Sequence, residues 1–453
     1  MAVSEASDAS IVDLGVPEAH RTMAIEKVFW SHFSPNFNAP TWMIGLLIAA
    51  AGLDLWWGLL AIIAGNVIGV LPTAFSAMMG PATGLTQIEN SRFAFGRAGT
   101  RLPASINYVM CVGWVAVGNV PATLAVIAMF ALAGIAIPFW LALAALAGAV
   151  LIASVYGHHV VQLLQKFVGY VLVVAFGIIV VAAFMRGGVT SQAHHAFSLA
   201  AFLLGFSVVA ANTLSWAPYS SDYTRYVAKS TSPAKVFWLV FVGLAGSSLA
   251  MELFGFVTTT GIIDTTPAAF IADVARLSGA LAPVVLLVIS IGALAGSTIN
   301  TTTASYSLIS AGVKIPRPVS AVVASLLAYA LAVIGEGSFT GLYTNYLILL
   351  LYWISPWIGI VLADWFLIPH TERFAERGWR FGATIFAVVT PVTILLFSST
   401  DVYTGPIAKL LGGIDVGYFV GFFVAGLAYV AAQRISRLGV REEQEPAPQA
   451  EPA

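Results

Sequence analysis

Charge is nearly absent from this chain over stretches of about twenty residues, and such stretches recur. They lie near 28–50, 55–78, 103–128, 134–154, 164–185, 197–219, 236–262, 280–311, 318–335, 340–367, 381–398 and 415–433. A helix rises 1.5 Å per residue, so roughly 20 apolar residues are what a bilayer's hydrocarbon core demands of it. The chain is 59% hydrophobic and 9% charged, against about 25% charged in a soluble domain. A soluble core has no use for so much apolar surface. The expected fold class is an all-α polytopic membrane protein with 12 transmembrane helices.

Lysine and arginine test that count. With the N-terminus inside, 17 of the 20 fall on inside segments and only Arg186, Arg276 and Lys409 fall outside. One missed span would scramble everything downstream, so this partition supports the positive-inside rule. It predicts a multi-pass protein of the cell (inner or plasma) membrane with both termini cytoplasmic. Residues 1–27 are polar and lack a signal peptide's short apolar core, so the first span is expected to be retained. The acidic, proline-bearing segment 434–453 is expected to be a disordered tail.

Several function classes drop out. A net charge of -1 carries no message of nucleic acid or any other charged partner; the expected partners are the lipid bilayer, a small molecule and a coupling cation, with no nucleic acid. A single cysteine, Cys111, allows neither a disulfide framework nor a cysteine metal site. His158-His159 and His194-His195 sit at span ends, no buried histidine is expected, and Glu252 is the one carboxylate well inside a span. No nucleophile elbow or phosphate loop occurs. The expectation is no enzyme and no cofactor.

The polar exceptions therefore matter most. Span one contains Ser34-Pro35-Asn36-Phe37-Asn38-Ala39-Pro40-Thr41. Its two prolines remove backbone donors and clash with the preceding turn. Irregular backbone at membrane depth survives only in protein or beside a cavity. Span six carries a second break, Asn212-Thr213-Leu214-Ser215-Trp216-Ala217-Pro218. Spans one and six correspond if five helices are repeated with inverted topology, and paired breaks of this kind point to a transporter's binding site.

Span eight adds a hydroxyl- and amide-rich stretch, Gly296 to Ser307. Ser297 and Thr298 offer hard oxygen ligands for a small alkali cation, beside carbonyls of span one. Asn300 both donates and accepts, which suits a neutral heterocycle. Trp114 in span three is a candidate stacking platform, and Asn119 a second polar candidate there. Glu252 is open between proton relay and structural glutamate, outside the substrate site.

Three further motifs carry a resemblance. The loop Gly80-Pro81-Ala82-Thr83-Gly84-Leu85-Thr86-Gln87 continues to Arg92 and Phe95-Gly96. Trp216-Ala217-Pro218-Tyr219-Ser220-Ser221-Asp222-Tyr223-Thr224-Arg225-Tyr226 leaves span six, and Leu362-Ala363-Asp364-Trp365-Phe366 closes span ten. Together they resemble the nucleobase:cation symporters of the purine–cytosine permease type, over nearly all of residues 20–370. The resemblance implies a leucine-transporter-like fold, with two inverted five-helix repeats (28–185 and 197–367) and two additional helices (381–433). It implies alternating access and symport of a small heterocycle with Na⁺, with H⁺ as the alternative.

By position, the resemblance implies cation carbonyls near Ser34, Phe37 and Leu294, with side-chain oxygens from Ser297 and Thr298. It places substrate against Trp114 and near Asn38, Asn212 and Asn300. Relatives that recognise hydantoins or uracil often carry a glutamine where Gly118 stands, and a second tryptophan at the span-six break. Here the break reads Asn212-Thr213, with Trp216 nearer the cytoplasmic end. Asp222 and Arg225 are expected on the cytoplasmic side in a structural or gating role. The expected function is uptake of a nucleobase, cytosine or a purine first. Hydroxymethylpyrimidine, hydantoin, allantoin and vitamin B6-like rings are the alternatives within the class. A passive channel is the rival mechanism.

Overall fold

The computed structural model describes residues 15–155, 158–185, 197–257, 264–368, 378–400 and 403–444. Each expected span overlaps a described helix, residues 258–262 of the seventh lying outside the described residues, and the described residues contain no strand beyond one isolated bridge, Ser399 to Thr404.

The chain begins with α1 (Glu26–Phe33) and α2 (Ala39–Ala50), separated by a 3-10 turn at Ser34–Asn36. α3 (Leu55–Ala77) leads into three short helices, α4 (Met79–Thr83), α5 (Gln87–Asn90) and α6 (Arg92–Gly99). Then come α7 (Arg101–Leu132), α8 (Phe139–Val155), α9 (His158–Met185) and α10 (Leu199–Leu214). A second 3-10 turn, Ala217–Tyr219, joins α10 to α11 (Ser220–Thr224), and α12 (Pro233–Val257) follows. The remaining helices are α13 (Pro267–Ser278), α14 (Ala282–Ser310), α15 (Arg317–Gly335), α16 (Phe339–Leu367), α17 (Phe381–Phe397), α18 (Pro406–Leu410) and α19 (Gly417–Gln444).

Among the described residues, seven helical segments are long and apolar enough to cross a membrane. Shorter apolar helices such as Ala39–Ala50 and Phe381–Phe397 accompany them. Two differences from the expectations stand out. α19 continues to Gln444, so residues 434–444 of the expected disordered tail are helical; 445–453, like 1–14, lie outside the described residues. α13 was not foreseen. Its buried Phe270, Ile271, Val274 and Leu277 follow helical spacing, but twelve residues are too few to register as a span.

The chain forms two compact units, residues up to 89 with 104–351, and residues 90–103 with 352 onward. In the second, α17 packs on α6, α18 and α19. Asp364 of the span-ten motif is buried there and accepts a hydrogen bond from the Tyr429 hydroxyl at 2.6 Å.

The first unit holds everything that bears on function. α1 and α2 pack on α12, and α3 packs on both α10 and α12. The seam of α1, α3 and α12 is filled by Val28, Val70, Ala74, Val236, Val240 and Leu244. α14 lies against α8, α9, α13 and α15. The α2–α12 contact is backbone on backbone. A Cβ on Gly45 would collide with the Glu252 carbonyl and come 2.5 Å from the Phe256 nitrogen, and one on Gly255 would collide with the Trp42 carbonyl. Lipid tails are as apolar as leucine, so helices in a bilayer associate through such close packing.

Gly45→Val should therefore destabilise by at least about 3 kcal/mol, since neither backbone can retreat. Thermal unfolding in detergent should show a lowered Tm or loss of monodisperse protein. An unchanged Tm would refute the close approach.

Candidate functional site

The break in span one is built by its own residues. Pro35 cannot continue α1, and the chain tightens into the 3-10 turn, with the Phe37 amide donating to the Ser34 carbonyl at 3.1 Å. Asn38 then restarts the helix as its N-cap. Its Oδ1 accepts from the Thr41 amide at 2.8 Å and its Nδ2 donates to the Pro35 carbonyl at 2.5 Å. A side chain that caps in this way replaces the backbone partner that the first helical turn lacks. The Phe37 carbonyl is left just ahead of α2.

The broken segment sits against α9 and α14 across glycines. A Cβ on Gly292 would lie 2.9 Å from the Phe37 carbonyl oxygen and one on Gly296 3.8 Å from that of Pro35. One on Gly169 would collide with the Ser34 hydroxyl. That hydroxyl is buried with no hydrogen-bond partner among the described residues.

Beside the break is a cavity of about 50 Å³, lined by Pro35, Asn36, Asn38, Thr41, Trp114, Asn212, Ser215, Trp216, Tyr219, Gly296 and Asn300. One water takes roughly 10–15 Å³ on this measure, so the occupant is on the scale of one small ring. Trp114 is braced edge-on by Tyr346, with ring centroids 5.4 Å apart, and by Tyr343 at 6.3 Å. Trp216 donates its indole N–H to Asn36 Oδ1 at 3.2 Å. Asn36 Nδ2 donates to the His32 carbonyl at 2.9 Å. The Tyr219 hydroxyl donates to Asn300 Oδ1 at 2.7 Å, and Asn300 Nδ2 donates to the Gly296 carbonyl at 3.0 Å.

Of the five residues expected at the substrate, Asn38, Trp114, Asn212 and Asn300 line this cavity. Asn119 does not. Its Oδ1 accepts from the Ser297 hydroxyl at 2.9 Å, which joins α7 to α14 and sets Asn119 with the cation candidates instead. Trp216, expected nearer the cytoplasmic end, also lines the cavity, two residues past the end of α10 and bonded to Asn36. Asn36 and Tyr219 were missed as site residues. Asn36 carried the signal of an amide between two prolines, but sequence does not say which of two asparagines caps α2. Glu252 is buried behind the lining and accepts from Asn212 Nδ2 at 3.1 Å and from Asn66 Nδ2 at 2.5 Å. It is thus one hydrogen bond from the cavity. His32 corrects a further expectation: it is a buried histidine, its ring bonded through Nδ1 to the Val28 carbonyl at 2.8 Å.

The hydroxyls of span eight divide their work. Thr298, Thr301, Thr302 and Ser305 donate to carbonyls four residues back, those of Leu294, Ser297, Thr298 and Thr301. Such back-bonding uses the proton and leaves oxygen lone pairs free. The expected cation ligands Ser34, Phe37, Leu294, Ser297 and Thr298 are therefore neutral carbonyl or hydroxyl oxygens. Among the described residues no cluster of histidine, cysteine or carboxylate is arranged to hold a metal.

Asp222 and Arg225 form no exposed pair; both are buried. Asp222 accepts from the Gln87 amide at 3.0 Å and the Thr303 hydroxyl at 2.9 Å. Gln87 Oε1 accepts from the hydroxyls of Ser220, at 3.0 Å, and Ser221, at 2.5 Å. The Arg225 guanidinium lies 4.8 Å from the centre of the Tyr306 ring. Two of the motifs that carried the resemblance thus lock onto each other and onto α14. Arg21 extends the lock, donating to the carbonyls of Val16, Pro81 and Thr83.

Comparison with known proteins agrees with this geometry. A family model described as permease for cytosine/purines, uracil, thiamine, allantoin matches residues 15–421. YxlA of Bacillus subtilis, assigned by name to the purine-cytosine permeases, is 27% identical over 436 residues, 91% of this chain and 93% of that protein. The purine-cytosine permease FCY21 of Saccharomyces cerevisiae is 24% identical over 440 residues, covering 88% and 81%. Among solved structures, the nucleobase-cation-symport-1 family transporter MHP1, closed with bromovinylhydantoin bound, superposes with a TM-score of 0.75. The identity is 15%, over 93% of this chain and 94% of that one. This likeness shows the fold, the leucine-transporter-like arrangement.

Asp222→Ala should strand the Gln87 amide and the Thr303 hydroxyl in the interior, at about 1–3 kcal/mol each. The expected outcome is a lowered Tm in detergent. A wild-type Tm would mean that the lock bears no load.

Proposed function

We propose, from the premise that the chain belongs to the family of permeases for cytosine/purines, uracil, thiamine and allantoin, that it imports a nucleobase together with Na⁺ by alternating access. The observation that carries this reading is the cavity itself, where two indoles and four asparagine amides surround space for one small ring beside a broken helix. Indole faces stack on a flat ring of any sequence of heteroatoms, and amides read its edge. Cytosine or a purine is the leading substrate. Hydroxymethylpyrimidine, hydantoin, allantoin and vitamin B6-like rings are alternatives of similar size, which a binding panel separates.

In this proposal the cation sits between the carbonyls of Ser34, Phe37 and Leu294 and the hydroxyls of Ser297 and Thr298. Five neutral oxygens suit a hard monovalent ion better than a divalent one. Asn119 orients the Ser297 hydroxyl. Twelve spans, in repeats at 28–185 and 197–367 followed by 381–433, set both termini in the cytoplasm. Asp222 and Arg225 belong to the closed inner gate. Na⁺ and ring each touch α14 and the break in span one, so the pair stabilises the closed state more than either alone. H⁺ is the alternative coupling ion, favoured by the bond between Glu252 and Asn212.

Reconstituted vesicles test the mechanism. An inward Na⁺ gradient should drive accumulation of radiolabelled cytosine above equilibrium; equilibration without accumulation would identify a channel. Uptake that follows the pH gradient, ignores Na⁺ and is lost in Glu252→Gln would make the ion H⁺. Thr298→Ala should raise the Na⁺ concentration for half-maximal binding about tenfold or more, the loss of one good ligand. Trp216→Ala should weaken cytosine binding by about tenfold or more, since stacking on an aromatic ring contributes about 1–3 kcal/mol per base. Equal affinity in Trp216→Ala would remove that indole from the site.

A further inference from the structure

Four asparagines line the cavity, and the protein already engages the side-chain oxygen of three of them. Asn36 Oδ1 accepts from Trp216, Asn38 Oδ1 from the Thr41 amide, and Asn300 Oδ1 from Tyr219. Asn212 differs. Its Nδ2 is held by Glu252 Oε1 at 3.1 Å, and no protein donor to its Oδ1 is present among the described residues. Both Glu252 oxygens accept amide protons, Oε2 from Asn66 and Oε1 from Asn212, so the Asn212 nitrogen faces Glu252 and its oxygen turns away from it.

We infer that Glu252, from behind the cavity wall, orients the Asn212 amide so that the cavity meets its oxygen, selecting ligands that present a hydrogen-bond donor there, an amino group or a ring N–H. This deepens the proposed function and rests on the cavity being a heterocycle site. Glu252 is a positioning residue, acting through Asn212.

Asn66 shows why the orientation holds. Its Nδ2 donates both to the Ile62 carbonyl, at 2.9 Å, and to Glu252 Oε2, at 2.5 Å. Flipping the Asn66 amide would set its oxygen against two acceptors, so this side of the carboxylate is pinned. Glu252 spends one oxygen on Asn66 and the other on Asn212. A glutamine at 252 has only one acceptor oxygen. Pinned Asn66 claims it, and the glutamine NH₂ turns to Asn212. The Asn212 amide must then rotate, offering its oxygen to residue 252 and its NH₂ to the cavity. One oxygen-to-nitrogen exchange behind the wall inverts what the wall presents.

The test is the ratio of affinities for two probes of nearly one shape, cytosine with a 4-amino group and uracil with a 4-oxo group, measured on purified full-length protein in Na⁺ by equilibrium binding. The wild type should bind cytosine at least tenfold tighter. Glu252→Gln should collapse that ratio to within threefold or reverse it. Adding Asn212→Asp to Glu252→Gln returns an acceptor to the cavity and should restore the preference for cytosine. General damage to the fold weakens both probes together and leaves their ratio in place, so the ratio isolates orientation. Should Glu252→Gln fail to fold, Asn212→Ala removes the presented oxygen with Glu252 intact and should collapse the ratio likewise.

An unchanged ratio in Glu252→Gln, or in Asn212→Ala, overturns the inference and leaves the transporter reading standing. Equal wild-type affinities for the two probes do the same. A wild type that binds neither probe, with or without Na⁺, overturns the choice of cytosine and the inference with it.

Discussion

A backbone inside a bilayer has no water to bond, and the structure turns on how one segment meets that constraint. Between α1 and α2 the chain stops being helical at a depth where every amide and carbonyl needs a partner. The 3-10 turn satisfies the Phe37 amide, and Asn38 satisfies the Thr41 amide. Those bonds, with the Asn38 amide on the Asn36 carbonyl at 2.9 Å, engage donors of the break and leave acceptor capacity on its carbonyl oxygens. Residues without Cβ on the neighbouring helices, Gly292 and Gly296, let those oxygens approach α14. Surplus acceptors at membrane depth amount to a site for something positively charged or donor-rich. The local chemistry of two prolines and an asparagine thus creates the demand that the rest of the cavity answers.

The same logic explains why polar side chains crowd the first unit. A lone hydroxyl or amide among apolar helices costs free energy unless it is bonded. Here they bond each other across helices. Asn107 donates to Ser307 at 2.7 Å and Thr73 to the Thr213 carbonyl at 3.2 Å. Gln87 gathers Ser220 and Ser221, and Asp222 reaches Thr303. Such bonds are directional, so they fix which helix faces meet, something dispersion between leucines does not do.

Much of this was legible from residues alone. Hydropathy located the long apolar helices, because the bilayer imposes one length scale on them, while the twelve-residue α13 fell below that scale. The paired breaks pointed to the cavity that both of them line, because proline is costly inside a helix without a reason. What escaped was anything decided by how loops fold back. Asp222 and Arg225 read as structural or gating residues past a span, but not as buried; Asp222 is bonded to Gln87 of the 80–87 loop and to Thr303 of α14, and the Arg225 guanidinium lies over the Tyr306 ring. Trp216 read as nearer the cytoplasmic end from its place in the run, whereas α10 ends at Leu214 and the indole turns to Asn36 in the other break. Asn119 and Asn300 looked alike in a list of amides. Their facing is set by which neighbour has a hydroxyl to give, Ser297 for one and Tyr219 for the other.

The engaged amides also bear on how a site of this kind achieves selectivity. A free asparagine in a cavity rotates to suit donor or acceptor and so discriminates poorly. An asparagine whose far end is bonded loses that freedom, and its wrong-way partner is left facing an unpaired buried group. Penalties of that sort discriminate between ligands more strongly than an added contact does. In this protein two of the bonds that remove the freedom come from outside the lining, from the His32 carbonyl to Asn36 and from the Glu252 carboxylate to Asn212. Two chains with an identical cavity lining can therefore differ in what they accept, if the residues behind the lining differ. The roster of lining residues in such a family underdetermines the substrate; the hydrogen bonds behind them carry the rest of the information.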